Sequence, residues 1–370
     1  MIVKRLAILL LACAAGCASV RTPAQDIDAI VSRYHSAGKF SGAVLVGRGE
    51  TIVYQRALGV ADEAWNVPAA LDTRFQIGSL TKQFTGALLY ELAEQKRIDL
   101  DKPLSAYLPE YRADVGQAVT IRQLLGHSAG VPDFVRRPDI MQLLKQPATP
   151  AEVVSNYCSG ALEFTPGTRF KYSNCGYLIL GAVIERISGE SYAENLRRLL
   201  SRAGLEDTGI DGPRAIVPRL ATAYVVEGKE RLKAPYIEWS VAFSSGAVYS
   251  TVLDLWRWRN TLLSGRVLGP RAPAELFALR PFGYSYGWHV GATDEAHLRK
   301  FLASDYNVEP APPGASMRLA SHSGDLPGFH SSMTVFLDGS WTVILLDNHD
   351  SKWLPALAAE LILAARKQAR

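Results

Sequence analysis

Long blocks of like charge are missing, basic residues do not alternate with aromatic ones, and the formal net charge is only +4. A nucleic-acid partner therefore has no support. The seven histidines (His35, His127, His289, His297, His322, His330 and His349) form no H-x-x-x-H pair and no Cys/His cluster. Neither a metal site nor a cofactor is expected. No internal repeat is visible. The one strongly apolar run near the N-terminus, Leu6 to Ala12, is too short to span a bilayer as a mature helix. Of four cysteines, only Cys158 and Cys175 lie in the body of the chain. A bridge between them is permitted in an oxidising compartment, but two small buried thiols are the expected reading.

What is present is ordinary for a soluble globular protein: 48% hydrophobic and 21% charged residues over a length of 370, enough for one large domain or two packed together. Lys4-Arg5 followed by Leu6 to Ala12 reads as the charged and apolar regions of a signal peptide covering residues 1–17. Ala14-Ala15-Gly16-Cys17 resembles a bacterial lipobox, with Ala14 where leucine is more usual, and Cys13 is a second candidate. Lipidation of Cys17 would attach an exported, periplasmic protein to the membrane. Ordinary cleavage nearby would give a soluble secreted one.

Periodicity predicts a first helix from about Ala24 to His35, then strands at Ala43–Val46 and Thr51–Tyr54. Helical patterns dominate from Ser79 to about Ala203, at Ser79–Gln95, Ala151–Tyr157, Tyr177–Ile187 and Tyr192–Leu200. Met333–Leu337 and Trp341–Leu346 flank Asp338-Gly339-Ser340 as a hairpin, and Trp353–Arg366 closes the chain as an amphipathic helix. Residues 292–315 read as an exposed excursion. The expected architecture is α+β, one domain over residues 24–370. Its antiparallel sheet with flanking terminal helices comes from about 24–75 and 230–370, and an inserted, mainly helical part covers about 79–225. A cleft between the halves is the natural place for a site.

Ser79-Leu80-Thr81-Lys82 puts a hydroxyl and an amine one helical turn apart. The free N–H groups of a first turn favour developing negative charge, and a desolvated lysine can activate a serine. The bland alternative is a cap followed by a solvated lysine. Tyr172-Ser173-Asn174 lies in a turn-rich loop before a helix. Its phenol can relay a proton and its carboxamide can bind a substrate amide, whereas the structural alternative makes Tyr172 packing and Asn174 a helix cap. His322-Ser323-Gly324 precedes a strand, where the glycine would let a substrate lie against the edge. Gly126-His127-Ser128-Ala129-Gly130 matches the G-x-S-x-G nucleophile elbow, but a short helix precedes it and Val131-Pro132-Asp133 follows. Ser128–Phe134 is therefore read as a loop bordering the cleft.

In this order, the three motifs resemble the active-site triplet of the class C β-lactamase and D,D-peptidase (penicillin-binding protein) family, with its esterase and D-aminopeptidase relatives. Phe75–Gly78, Thr120–Asp133, Pro166–Gly181, Ser245–Thr251 and Tyr286-Gly287-Trp288 share the likeness, which thus covers nearly all of the chain after its leader. The resemblance implies a β-lactamase/transpeptidase-like fold and an acyl-enzyme on Ser79, with Lys82 and Tyr172 sharing proton transfer. It implies that Asn174, His322, Ser323 and Gly324 bind substrate, with His322 where a strand lysine stands in true β-lactamases. Backbone N–H groups of Ser79 and Asp325 would form the oxyanion hole, where losing one donor typically costs about 2.7–4 kcal/mol of barrier. The implied substrate is a β-lactam or peptidoglycan-type D-amino-acid peptide, with small esters as the alternative. A non-catalytic protein that binds peptidoglycan or a partner is the alternative from another class. Asp325 is a departure, an acid that disfavours anionic substrates unless a cation compensates.

Overall fold

The computed structural model describes residues 22–212, 215–228, 230–303, 311–350 and 352–367. The signal-peptide and lipobox readings, Cys17 included, fall outside them. The first helix, α1 (Pro23–Ser36), starts at a Thr22/Gln25 capping box with proline in its first turn. Strands β1 (Gly42–Arg48) and β2 (Thr51–Leu58) follow. Helices then dominate, chiefly α2 (Thr81–Glu94), α3 (Pro150–Tyr157), α4 (Asn174–Ser188), α5 (Tyr192–Ala203) and α6 (Val252–Ser264). The chain returns to the sheet through β3 (Tyr284–Ser285), β4 (Trp288–Thr293), β5 (Met317–Leu326), β6 (Phe329–Phe336) and β7 (Trp341–Asp347), and ends on α7 (Leu354–Lys367).

The seven strands form one antiparallel sheet in the order β3-β4-β5-β6-β7-β1-β2. Alternate side chains leave opposite faces. Val44, Val46 and Leu345 enter a core beneath α1 and α7, with Ile27, Val31, Leu357 and Leu361. Ala43, Leu45, Ile344 and Leu346 enter a second core shared with the middle of the chain, including Phe84 and Leu255. Both faces are covered, which explains strands that read as continuous apolar runs.

Three local expectations are corrected. The helix expected from Ser79 begins at Thr81, and Ser79 sits in a single 3-10 turn, Gly78–Leu80. Nor does α2 bury one stripe only. Lys82, Gln83 and Thr85 are buried with Phe84 and Leu88 because the helix packs on several sides, against α4, α5 and the turn Phe243–Gly246, and Phe84 stacks on Trp258 with ring centroids 4.6 Å apart. The stretch after β4 is not simply exposed: Leu298–Leu302 forms a short helix whose Leu298 and Leu302 join the outer core.

Candidate active site

Local structure first sets the nucleophile motif. Lys82 Nζ lies 3.0 Å from Ser79 Oγ, 2.8 Å from Asn174 Oδ1 and 2.8 Å from the Ser245 carbonyl oxygen. Its side chain is fully buried, where an ammonium without acceptors would be very costly. Three acceptors match the three N–H bonds of the charged form. The neutral amine keeps two of them and turns its lone pair to the Ser79 hydroxyl. The amine also lies 5.0 Å from the Tyr172 ring centroid and 5.6 Å from that of Tyr177.

The segment around Ser79 is clamped from two sides. Ile77 N–H donates to the Val248 carbonyl, and the Val248 N–H donates to Thr81 Oγ1. On the sheet side, Ser331 Oγ donates to the Ile77 carbonyl at 2.8 Å. A Cβ on Gly324 would come within 2.0 Å of the same carbonyl oxygen. Gly324 is therefore needed where β5 presses on the nucleophile segment. The contact brings the backbones of Gly78 and Asp325 together, since a Cβ on Gly78 would lie 3.2 Å from Asp325 N. β4 pairs with β5 only as far as Ser321, whereas β6 pairs with it to Leu326.

Tyr172 and Asn174 are held by the loop that carries the G-x-S-x-G decoy. The His127 ring lies 4.1 Å from the Tyr172 ring, its Nδ1 accepts from the Ser173 N–H, and its carbonyl accepts from the Lys171 N–H. Asp133 Oδ2 accepts from Asn174 Nδ2 at 3.1 Å, which turns Asn174 Oδ1 towards Lys82. Ser128 contributes no nucleophile geometry, as its hydroxyl reaches back to the Gln123 carbonyl. The helix cap is Ser173, whose Oγ accepts from the Gly176 N–H, so Asn174 is left for the site. His127 and Asp133 were given no role from the sequence. Their signal was a histidine and an acid placed in a turn-rich, cleft-bordering loop.

His322 lies beside Tyr172, with ring centroids 6.1 Å apart. Its ring is buried, with Nε2 2.7 Å from the Tyr284 hydroxyl and Nδ1 2.5 Å from the Ser323 carbonyl. Those partners assign the tautomer: Nδ1–H donates to the carbonyl and Nε2 accepts from the phenol. Burial, and then the Lys82 charge, push its pKa down to about 3. At neutral pH its ring is therefore uncharged. His127 is driven well below the usual imidazole range by burial first, then by Lys82 and His322. Asp325, in contrast, is half-exposed and bonded to His330 Nδ1 at 2.8 Å, while His330 Nε2 lies 3.3 Å from Asp350. Burial alone would lower His330, but its bond to Asp325 and the surrounding carboxylates raise it. His330 is therefore the group placed to offset the Asp325 charge when its ring is protonated.

The two thiols expected to stay apart are bridged. Cys158 caps the end of α3 and Cys175 lies in the first turn of α4, with Cα atoms 5.2 Å apart. Packing of α3 on α4 supplies the geometry that spacing alone could not. A separate cavity of about 1040 Å³, between Tyr111, Glu152, Glu185 and Glu190, lies among the helices and contains none of the site groups.

Residues 27–367 match the family described as Beta-lactamase. The chain is 26% identical over 361 residues to Penicillin-binding protein 4* of Bacillus subtilis (strain 168), covering 88% of this chain and 72% of that one. It is 28% identical over 361 residues to Protein flp of Staphylococcus aureus (strain NCTC 8325 / PS 47), covering 91% of this chain but only 65% of that protein. Among solved structures, D-amino acid amidase from Ochrobactrum anthropi SV3, complexed with L-phenylalanine amide, superposes with a TM-score of 0.78 at 22% identity, over 94% of this chain and all of that one. The penicillin binding protein from Bacillus halodurans gives 0.73 at 24% identity, over 93% of this chain and 100% of that one. These structures share the β-lactamase/transpeptidase fold.

Proposed function

The chain belongs to the beta-lactamase family and is a serine hydrolase, and from that premise we propose that it hydrolyses esters or amides through an acyl-enzyme on Ser79, favouring substrates without a carboxylate. Neutral Lys82 holds two N–H bonds to Asn174 and Ser245 and takes the Ser79 proton as Oγ attacks the acyl carbon. The oxyanion is received by the backbone N–H groups of Ser79 and Asp325, in a spot where β5 already abuts the nucleophile segment. The proton passes from Lys82 to the leaving group, with Tyr172 beside the amine to share the transfer. Water then cleaves the acyl-enzyme by the reverse route.

The observation that carries the substrate preference is the pairing of a neutral, buried His322 with a half-exposed Asp325 on β5, beside the nucleophile segment. A strand lysine would attract a substrate carboxylate, whereas this strand presents an acid. Small esters and amino-acid amides fit it better than β-lactams or peptides ending in a free D-alanine carboxylate. The amidase neighbour supports this choice, while the penicillin-binding relatives favour the peptide reading. An exported location fits the Cys158–Cys175 bridge, which persists in oxidising compartments. Lipid attachment through Cys17, with the mature domain on the periplasmic face, completes the proposal.

A fluorophosphonate probe tests the nucleophile. Ser79→Ala abolishes labelling and Ser128→Ala leaves it intact; labelling that survives Ser79→Ala sinks the mechanism. Comparing p-nitrophenyl butyrate and a D-amino-acid amide with nitrocefin and a D-Ala-D-Ala peptide tests the preference. Faster turnover of the last two refutes it.

A further inference from the structure

Asp133 is nearly buried, at 7% exposure, yet it lies outside the hydroxyl–amine–phenol set that the chemistry uses. Its Oδ2 accepts from Asn174 Nδ2 at 3.1 Å, and Asn174 Oδ1 in turn accepts from Lys82 Nζ at 2.8 Å. A carboxylate, a carboxamide and an amine thus stand in line, ending 3.0 Å from Ser79 Oγ. A carboxamide can point either way. An acceptor on one side and a donor on the other fix it with oxygen towards the amine.

We propose that Asp133 is a positioning residue that acts through Asn174 to set the proton affinity of Lys82. This rests on the reading of Lys82 as the base for Ser79. Several groups face Lys82: Tyr172 and Tyr177 through their rings, His127 and His322 through their fields, and Asp133. Both histidines are held neutral by burial, and Asp133 is the carboxylate of the set. Burial raises its own pKa, opposed by Lys82 and by N–H donors from Val135 and Asn174. A negative charge on this line favours the ammonium, so Lys82 is neutral, and competent as a base, only at higher pH than it would be without Asp133. In exchange, the amine and the Asn174 oxygen stay aligned on the nucleophile.

The sign fixes the experiment. Second-order labelling of Ser79 by a fluorophosphonate is measured from pH 5 to 10 for the wild type, Asp133→Asn and Asp133→Ser, with p-nitrophenyl butyrate kinetics alongside. Removing the charge moves the acid limb to lower pH by about one unit, a tenfold faster reaction on that limb. The plateau at high pH and KM stay within about twofold for Asp133→Asn, which keeps an oxygen for Asn174. An unmoved limb, a limb moved upward, or a uniform loss at every pH each overturns the proposal. Asp133→Ser supplies the same test if the asparagine variant fails to fold. Failure of the underlying mechanism shows up separately, as labelling that does not depend on Ser79.

Discussion

Replacing Asp325 with asparagine removes one charge from the mouth of the site and keeps its shape and backbone N–H. The side chain is 47% exposed, so its field acts through a mixed medium, with an effective dielectric of about 40. At about 6 Å, two unit charges then interact by about 1.4 kcal/mol, a factor of about ten. The ratio of kcat/KM for nitrocefin over p-nitrophenyl butyrate should therefore rise about tenfold in Asp325→Asn near pH 8. It should rise less at lower pH, where protonated His330 offsets the wild-type charge, since the pairing with Asp325 raises His330 above the usual imidazole value. Because the group is partly exposed, molar salt should shrink the difference. Equal changes for both substrates, or a ratio indifferent to salt, would refute the electrostatic account and leave shape as the cause of preference.

Loss of the Cys158–Cys175 bridge, in a Cys158→Ala/Cys175→Ala variant, should lower stability by about 2–4 kcal/mol in urea unfolding, with Ser79 labelling retained well below the midpoint. Asp347 is wholly buried, and burial lifts its carboxyl to about 8. Its protonated form favours folding in acid, and that contribution is lost as pH rises from about 4 through 8. Asp347→Asn should therefore gain stability relative to the wild type by about 1.4 kcal/mol per pH unit across that window, read from urea midpoints. A constant difference between the two proteins across pH would count against the buried, protonated carboxyl.

Much of the fold is legible where local and tertiary demands agree. The hairpin flanking Asp338-Gly339-Ser340 buries its apolar runs on both faces of the sheet, and the closing helix buries the apolar residues that its sequence displays. The Ser79–Lys82 spacing likewise predicts its contact, although a 3-10 turn replaces the first helical turn. What was not legible depends on neighbours distant in sequence. The neutral state of His322 comes from burial and the nearby Lys82, and its Tyr284 partner is brought to the ring by the sheet. The bridge requires the packing of α3 on α4. The roles of His127 and Asp133 depend on one loop gripping both ends of Tyr172–Asn174. No period in the sequence records such a grip.

The clamp on Ile77 and Thr81 has a consequence for how this chain can change over time. Because Ser331 and Gly324 fasten the nucleophile segment to the sheet on one side, and Val248 fastens it on the other, the serine belongs to a joint held from two directions. Asp325 faces solvent from that joint without holding it closed. Substitutions at the rim can therefore redirect the protein to a new acyl group while the reacting atoms keep their alignment. A change at the joint itself would cost folding and chemistry together.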